Sequence, residues 1–177
     1  MKHSVITLVD NISQAERVVD VLEESGFPSS DISLLMPDTG GARDFSFEQH
    51  SKAPEGTATG AGVGALLGGT LGVLAGIGAV AIPGLGPFIA AGPIMAGLSG
   101  VAVGGTVGGV AGGLIGLGMP EYEAKQYESK LQEGAILISV HTSNKDEAQR
   151  AKDIFKEAGN KKISVVSEEG VSQRRAS

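Results

Sequence analysis

At 177 residues, with a net charge of -6 and no cysteine, the chain has room for one ordinary domain, or for about 100 residues of domain plus a second part, and it offers no disulfide, thiolate nucleophile or soft metal site. Acidic residues outnumber basic ones 20 to 14 with no basic stripe, which argues against nucleic-acid binding and against polybasic adhesion to anionic lipid. Charge is also unevenly placed: no Asp, Glu, Lys, Arg or His lies between Glu55 and Glu121, so any affinity for a bilayer must reside in that apolar stretch.

The opening Met1-Lys2-His3-Ser4-Val5 lacks the apolar core and cleavage site of a signal peptide, which predicts synthesis in the cytoplasm without cleavage. Ser4 to Val9 is a β-branched run and predicts a strand. Asn11, with Gln14 three residues on, is a helix start, and Ala15, Val18, Val19 and Leu22 then fall at helical spacing. Gly26 supplies the stop, and Ile32 to Met36 reads as a second strand. Residues 1–36 are therefore one βαβ unit. Residues 37–55 are a polar, turn-rich linker.

Residues 56–118 hold 22 of the 28 glycines. Gly56, Gly60, Gly64, Gly68, Gly72 and Gly76 fall four apart, and Gly92, Ala96, Gly100, Gly104, Gly108, Gly112 and Gly116 repeat the period on the far side of a turn at Ile82-Pro83-Gly84-Leu85-Gly86-Pro87. Small residues at every fourth position make a groove that lets helix backbones approach closely, and a period of 4 favours a right-handed crossing. The expectation is a glycine-zipper helical hairpin with these thirteen residues as its packing stripe. Each arm, at roughly 24 to 26 residues and about 36 to 39 Å, is long enough to cross a hydrocarbon core. Interior glycines cost a helix about 1 kcal/mol each relative to alanine, so the arms need a bilayer or a dry oligomeric core to persist.

From Pro120 to Glu133 an amphipathic helix is predicted, with Ala124, Tyr127 and Leu131 on one side and Gly134 as its stop. Ala135 to Val140 is then a strand, Asn144 with Glu147 a capping box, Ala148, Ala151, Phe155 and Ala158 a helix face, Gly159 a stop, and Ile163 to Val166 the last strand. Residues 119–167 thus repeat the opening unit: Ala15-Glu16-Arg17 aligns with Ala148-Gln149-Arg150, and Gly26 with Gly159, at an offset of 133. Residues 168–177 form a frayed tail. Two such units predict an α+β fold, a ferredoxin-like βαββαβ plait of four antiparallel strands with two helices on one face, and with the zipper hairpin inserted between its second and third strands.

Chemistry is not visible in the sequence. Gly60-x-Gly62 and Gly76-x-Gly78 lack the strand and acidic residue of a dinucleotide fingerprint, and no lysine between Lys52 and Lys125 can serve a phosphate loop. His3, His50 and His141 are isolated in sequence, the central strands carry no aromatics for stacking bases, and nothing pairs a nucleophile with a base. No catalytic, cofactor or metal residue is assigned, and no enzymatic activity is expected.

The opening strand-helix-strand, the glycine-rich insert, and Pro120-Glu121-Tyr122-Glu123-Ala124-Lys125-Gln126-Tyr127-Glu128 running into Leu131-Gln132-Glu133-Gly134-Ala135-Ile136-Leu137-Ile138-Ser139-Val140 resemble the bacterial general stress protein, or heat-induced stress protein, domain family. The resemblance covers the chain up to about Val166, and it implies a stress-associated protein, often membrane-associated, without catalytic residues. Together these readings predict a homo-oligomer in the inner membrane with the plait and both termini cytoplasmic, since Lys and Arg lie on both flanks of the insert and none in its turn. The alternatives are a soluble scaffold with the zipper in a dry core, and a plait that binds a small regulatory ligand.

Overall fold

The computed structural model describes residues 2–38, 78–82, 85–93 and 109–167. They form an α+β fold in which one six-stranded antiparallel sheet is covered by helices on both faces. The strands are β1 (His3–Val9), β2 (Ile32–Pro37), β3 (Gly78–Ile82), β4 (Gly86–Ala91), β5 (Ile136–Thr142) and β6 (Ile163–Ser167), paired in the order β3-β4-β2-β5-β1-β6. The helices are α1 (Ile12–Glu24), α2 (Gly109–Gly116), α3 (Glu121–Gln132) and α4 (Lys145–Glu157), and a single 3-10 turn, Ser29–Asp31, leads into β2.

Local chemistry sets the ends of the repeated units. Asn11 Oδ1 accepts the Gln14 amide at 2.9 Å while Gln14 Oε1 accepts the Asp10 amide at 3.1 Å. The second unit does the same: Asn144 Oδ1 accepts the Glu147 amide, and Glu147 Oε2 the Ser143 amide, both at 2.8 Å. Each reciprocal pair satisfies amides that the first helical turn leaves without partners. At the other end of α1, Gly26 takes a φ of +89° so that the Phe27 amide reaches Leu22 O at 3.0 Å, a left-handed closure that a β-carbon would strain. The same bond pattern ends α2, α3 and α4.

The internal repeat is metrically regular. β1 and α1 map onto β5 and α4 with an offset of 133 in both strand and helix bounds. In the β1–β5 ladder Ile6 pairs with Ser139, which is also its counterpart in the repeat, so a local two-fold axis passes through that pair. The flanking pairs obey it: Ile32 opposite Val140 in β2–β5 corresponds to Thr7 opposite Ile163 in β1–β6.

One face of the sheet presents Val5, Val9, Ile32, Leu34, Ile136, Ile138 and Val140 to α1 and α4, which bury Ala15, Val18, Val19, Leu22, Ala148, Ala151 and Phe155 against them. The sequence reading left the opposite face without helices. It is instead covered by α2 and α3, with Ile6, Leu35, Leu137, Phe88 and Val166 packed beneath Val110, Leu114, Tyr127 and Leu131. The physical reason lies in the strands: β1, β2 and β5 carry apolar residues at odd and even positions alike, the pattern of strands buried on both sides.

The second correction concerns the insert. The turn around residues 82 to 87 is present, but it joins two strands rather than two helices: β3 and β4 pair from Gly78–Ala90 to Ile82–Gly86, and β4 continues the sheet by pairing Leu34 with Ala91 and Met36 with Ile89. Phe88 and Ile89 are both buried, on opposite faces of the sheet, as suits a strand covered on both sides, and β4 satisfies backbone groups that β2 would otherwise expose along its edge.

Candidate functional site

The clearest cluster of polar side chains in the interior lies between α3 and the sheet. Tyr127 has no exposed surface; its hydroxyl lies 2.8 Å from Ser164 Oγ on β6 and donates toward Ile6 O of β1 at 3.2 Å. Ser164 Oγ in turn hydrogen-bonds Glu123 Oε1, one turn earlier on α3. An ionised carboxylate only accepts, so the serine proton points to Glu123, and the single phenol proton is shared between the nearer Ser164 Oγ and Ile6 O. Lys162 closes the outside of the cluster: its ammonium sits 4.8 Å from the centre of the Tyr127 ring and 2.5 Å from Gln126 Oε1, while its carbonyl accepts from Thr7 Oγ1 at 2.9 Å.

Burial dominates the titration of this group. It pushes the Tyr127 phenol up to about 12, opposed by the Ser164 hydrogen bond and reinforced by the Glu123 charge. It lowers the Lys162 ammonium, against the pull of Glu123. A phenol held neutral and out of solvent is a poor base and cannot reach a substrate. The arrangement fastens α3 across β1 and β6, and Tyr127 acts as its peg.

A second grouping joins residues 137 apart in sequence: Ser4 Oγ lies 3.2 Å from His141 Nδ1, brought together because the β1–β5 register places the two residues opposite one another. A hydroxyl beside an imidazole is the first half of a nucleophile-base pair. Here Ser4 has no exposed surface, so no substrate carbonyl can approach its oxygen. Sequence reading missed this contact because nothing local to either residue predicts it.

Open cavities lie on the α1–α4 side. One, of about 390 Å³, is bounded by Asn11, Ile12, Ser13, Met36, Pro37, Gly134 and Ile136. Another, of about 250 Å³, is bounded by His3, Lys145, Ala148, Gln149, Lys152 and Val165. A further one, of about 260 Å³, lies between α1 and α4, bounded by Gln14, Arg17, Val18, Val21, Ile154, Glu157 and Ala158. His3 is buried and its Nε2 has no hydrogen-bond partner, a deficit on the order of 1–3 kcal/mol for a shielded polar group. Among the described residues no three His, Asp or Glu side chains converge as metal ligands.

The chain matches no family model, no curated protein and no solved structure. Its site must therefore be read from its own geometry.

Of the thirteen residues expected to form the packing stripe, Gly56, Gly60, Gly64, Gly68, Gly72, Gly76, Ala96, Gly100, Gly104 and Gly108 lie outside the described residues. Gly92 is not helical: it follows β4 with a φ of +80°, and a β-carbon there would stand 2.2 Å from Ile32 O. Gly112 and Gly116 do lie in α2, but Gly112 is half-buried, and Gly116 is exposed with open space where a side chain would be. The glycines that α2 buries are Gly109 and Gly113, one position off the predicted stripe. At Gly109 a β-carbon would meet the Glu128 carboxylate of α3, so within this chain the close approach is between α2 and α3. No helix among the described residues is long and apolar enough to cross a membrane.

Proposed function

We propose that this chain is a non-enzymatic, stress-associated protein that works by apolar association: a ferredoxin-like plait whose charge-free insert packs copies of the chain together at a membrane surface. The plait reading is supported by the partial order β2-β5-β1-β6, in which each βαβ crossover skips one strand, and by the local two-fold axis. The association reading is supported by the absence of charge from residue 56 to residue 120 and by the period-four glycines of Gly56 to Gly76. The resemblance to the bacterial general stress protein family points the same way.

The observation that carries the choice between surface and span is the return of the insert to the sheet at β3 and β4. A pair of spanning helices turning at residues 82 to 87 would carry that turn to the far side of the bilayer, whereas β2 holds it beside the plait. This arrangement favours contact along a membrane face, or between subunits, over a two-helix crossing. The same observation favours a second reading, a soluble assembly that needs no lipid.

Fractionation with native membranes separates these. Surface association predicts that the protein sediments with membranes, leaves them in alkaline carbonate, and then runs as an oligomer without detergent. Retention after carbonate would overturn the surface arrangement in favour of insertion. A detergent-free oligomer that never sediments with membranes would favour the soluble assembly. A monomer with no membrane affinity would defeat the whole reading.

A further inference from the structure

The two outer strands of the sheet differ in charge. β3 lies within the uncharged stretch, whereas β6 is framed by charge: the sequence reads Lys161-Lys162-Ile163-Ser164-Val165-Val166-Ser167-Glu168-Glu169. Two lysines precede the strand and two glutamates follow it, at equal distances from Val165. A second copy of this segment running in the opposite direction therefore presents the opposite sign at each charged position.

β6 meets β1 along one side in five consecutive residue pairs without a bulge. Among the described residues nothing pairs with its other side. The usual protections of such an edge, a proline, a bulge or an inward charge, are missing from Ile163–Ser167. Val165, at the centre of the strand, is apolar and yet 45 % exposed. The open cavity that it lines with Ala148 and Gln149 leaves room on the α4 side for the side chains of a neighbouring strand.

We infer that β6 pairs antiparallel with the same strand of a second copy of this chain, about a two-fold axis at Val165, so that two sheets join into one. In that register Lys161 stands opposite Glu169 of the partner subunit, and Lys162 opposite Glu168 of the partner subunit. A parallel arrangement would set like charges side by side, which is unfavourable. Shifting the strands by two residues, the smallest slip that keeps each side chain on its face, would set both lysines against uncharged residues in either direction. Exposed ion pairs contribute little energy singly, and their main effect is on register and orientation. The strand is short, so this contact alone makes a weak dimer. The inference goes beyond the association proposed for the insert and does not rest on it, because β6 lies outside residues 56–118.

The chain has no cysteine, so V165C places a single thiol at the axis, and V21C places a comparably exposed one on α1. Each full-length protein is treated with a short bifunctional maleimide, and the covalent dimer is followed over time. V165C should link about tenfold faster than V21C or more, since pairing raises the effective concentration of the two thiols. Lys162 is held within its own chain by Gln126 and the Tyr127 ring, so the charge test uses Lys161, which among the described residues makes no hydrogen bond or ion pair.

In the V165C background, K161E and E169K each set like charges opposite one another at both ends of the paired strands, and each should slow linking by about tenfold. The K161E/E169K combination restores opposite signs and should return to the native rate. An equimolar mixture of the two single variants restores them between unlike copies and should recover most of that rate. All variants should share one melting profile. V165C linking no faster than V21C, or K161E/E169K remaining as slow as K161E, overturns the interface. Oligomers that persist in sedimentation alongside either result would belong to the insert alone.

Discussion

Replacing Tyr127 with phenylalanine removes one oxygen and leaves the ring that packs on the sheet. At neutral pH the loss is the pair of contacts to Ser164 and Ile6 O, about 1 to 3 kcal/mol for a buried hydroxyl network. The pH dependence is more discriminating. Burial holds the folded phenol at about 12 against the ordinary 10.0 of tyrosine, so between those values the unfolded chain releases a proton that the folded chain keeps. For a group whose folded pKa is raised, the associated stability is intact below the unfolded pKa and is lost as pH rises to the folded one. Two units at 1.36 kcal/mol each come to about 2.7 kcal/mol, an order-of-magnitude figure. Urea titrations followed by circular dichroism, at intervals from pH 7 to 12, should show native protein more stable than Y127F at neutrality and the gap closing between pH 10 and 12. Phenolate absorbance in a Y122F background, which leaves Tyr127 as the single tyrosine, should follow the same rise. A gap that stays constant across that window would refute the argument that burial holds this phenol neutral.

Three further outcomes follow from the backbone. G92A forces a β-carbon to within 2.2 Å of Ile32 O at a φ of +80° and should detach β4 from β2, lowering stability by several kcal/mol, whereas G26A, with open space around it, should cost only about 1–2 kcal/mol of left-handed strain; comparative urea melts distinguish them. G116A fills open space in a helix and should raise stability by up to about 1 kcal/mol, unless Gly116 packs against another copy, in which case sedimentation will show a smaller oligomer. N11A and N144A each remove a side-chain cap and should each lower stability by about 1 kcal/mol, with nearly additive effects because the two caps share no hydrogen-bond partner.

Those caps mark how far the sequence could be read. Asn11, Gln14, Asn144, Glu147 and the stops at Gly26, Gly134 and Gly159 act within a few residues of themselves, and the structure uses each of them. The strands β3 and β4 were missed because a four-residue glycine period running through both flanks suggested helix more strongly than Phe88 and Ile89 suggested strand. Pairing with β2, a long-range contact, decided the matter. The offset between the predicted stripe and the buried Gly109 and Gly113 has the same origin, since packing against α3 selects the face of α2. Neither the Tyr127 peg nor the cavity beside His3 is local: Tyr127 meets Ser164 across 37 residues, and His3 shares its cavity with residues more than 140 positions away.

The strand order also has a consequence for biosynthesis. β5 lies between β1 and β2, yet it emerges from the ribosome about 100 residues after β2 ends, a delay of roughly 5 to 20 s at ordinary elongation rates. Through that interval β1 has no neighbour to zip against and β2 can gain only β4, while the entire uncharged stretch is being extruded beside them. A protein made in this sequence is a natural client for a holding chaperone, and slowing translation after residue 37 should lengthen its dependence on one.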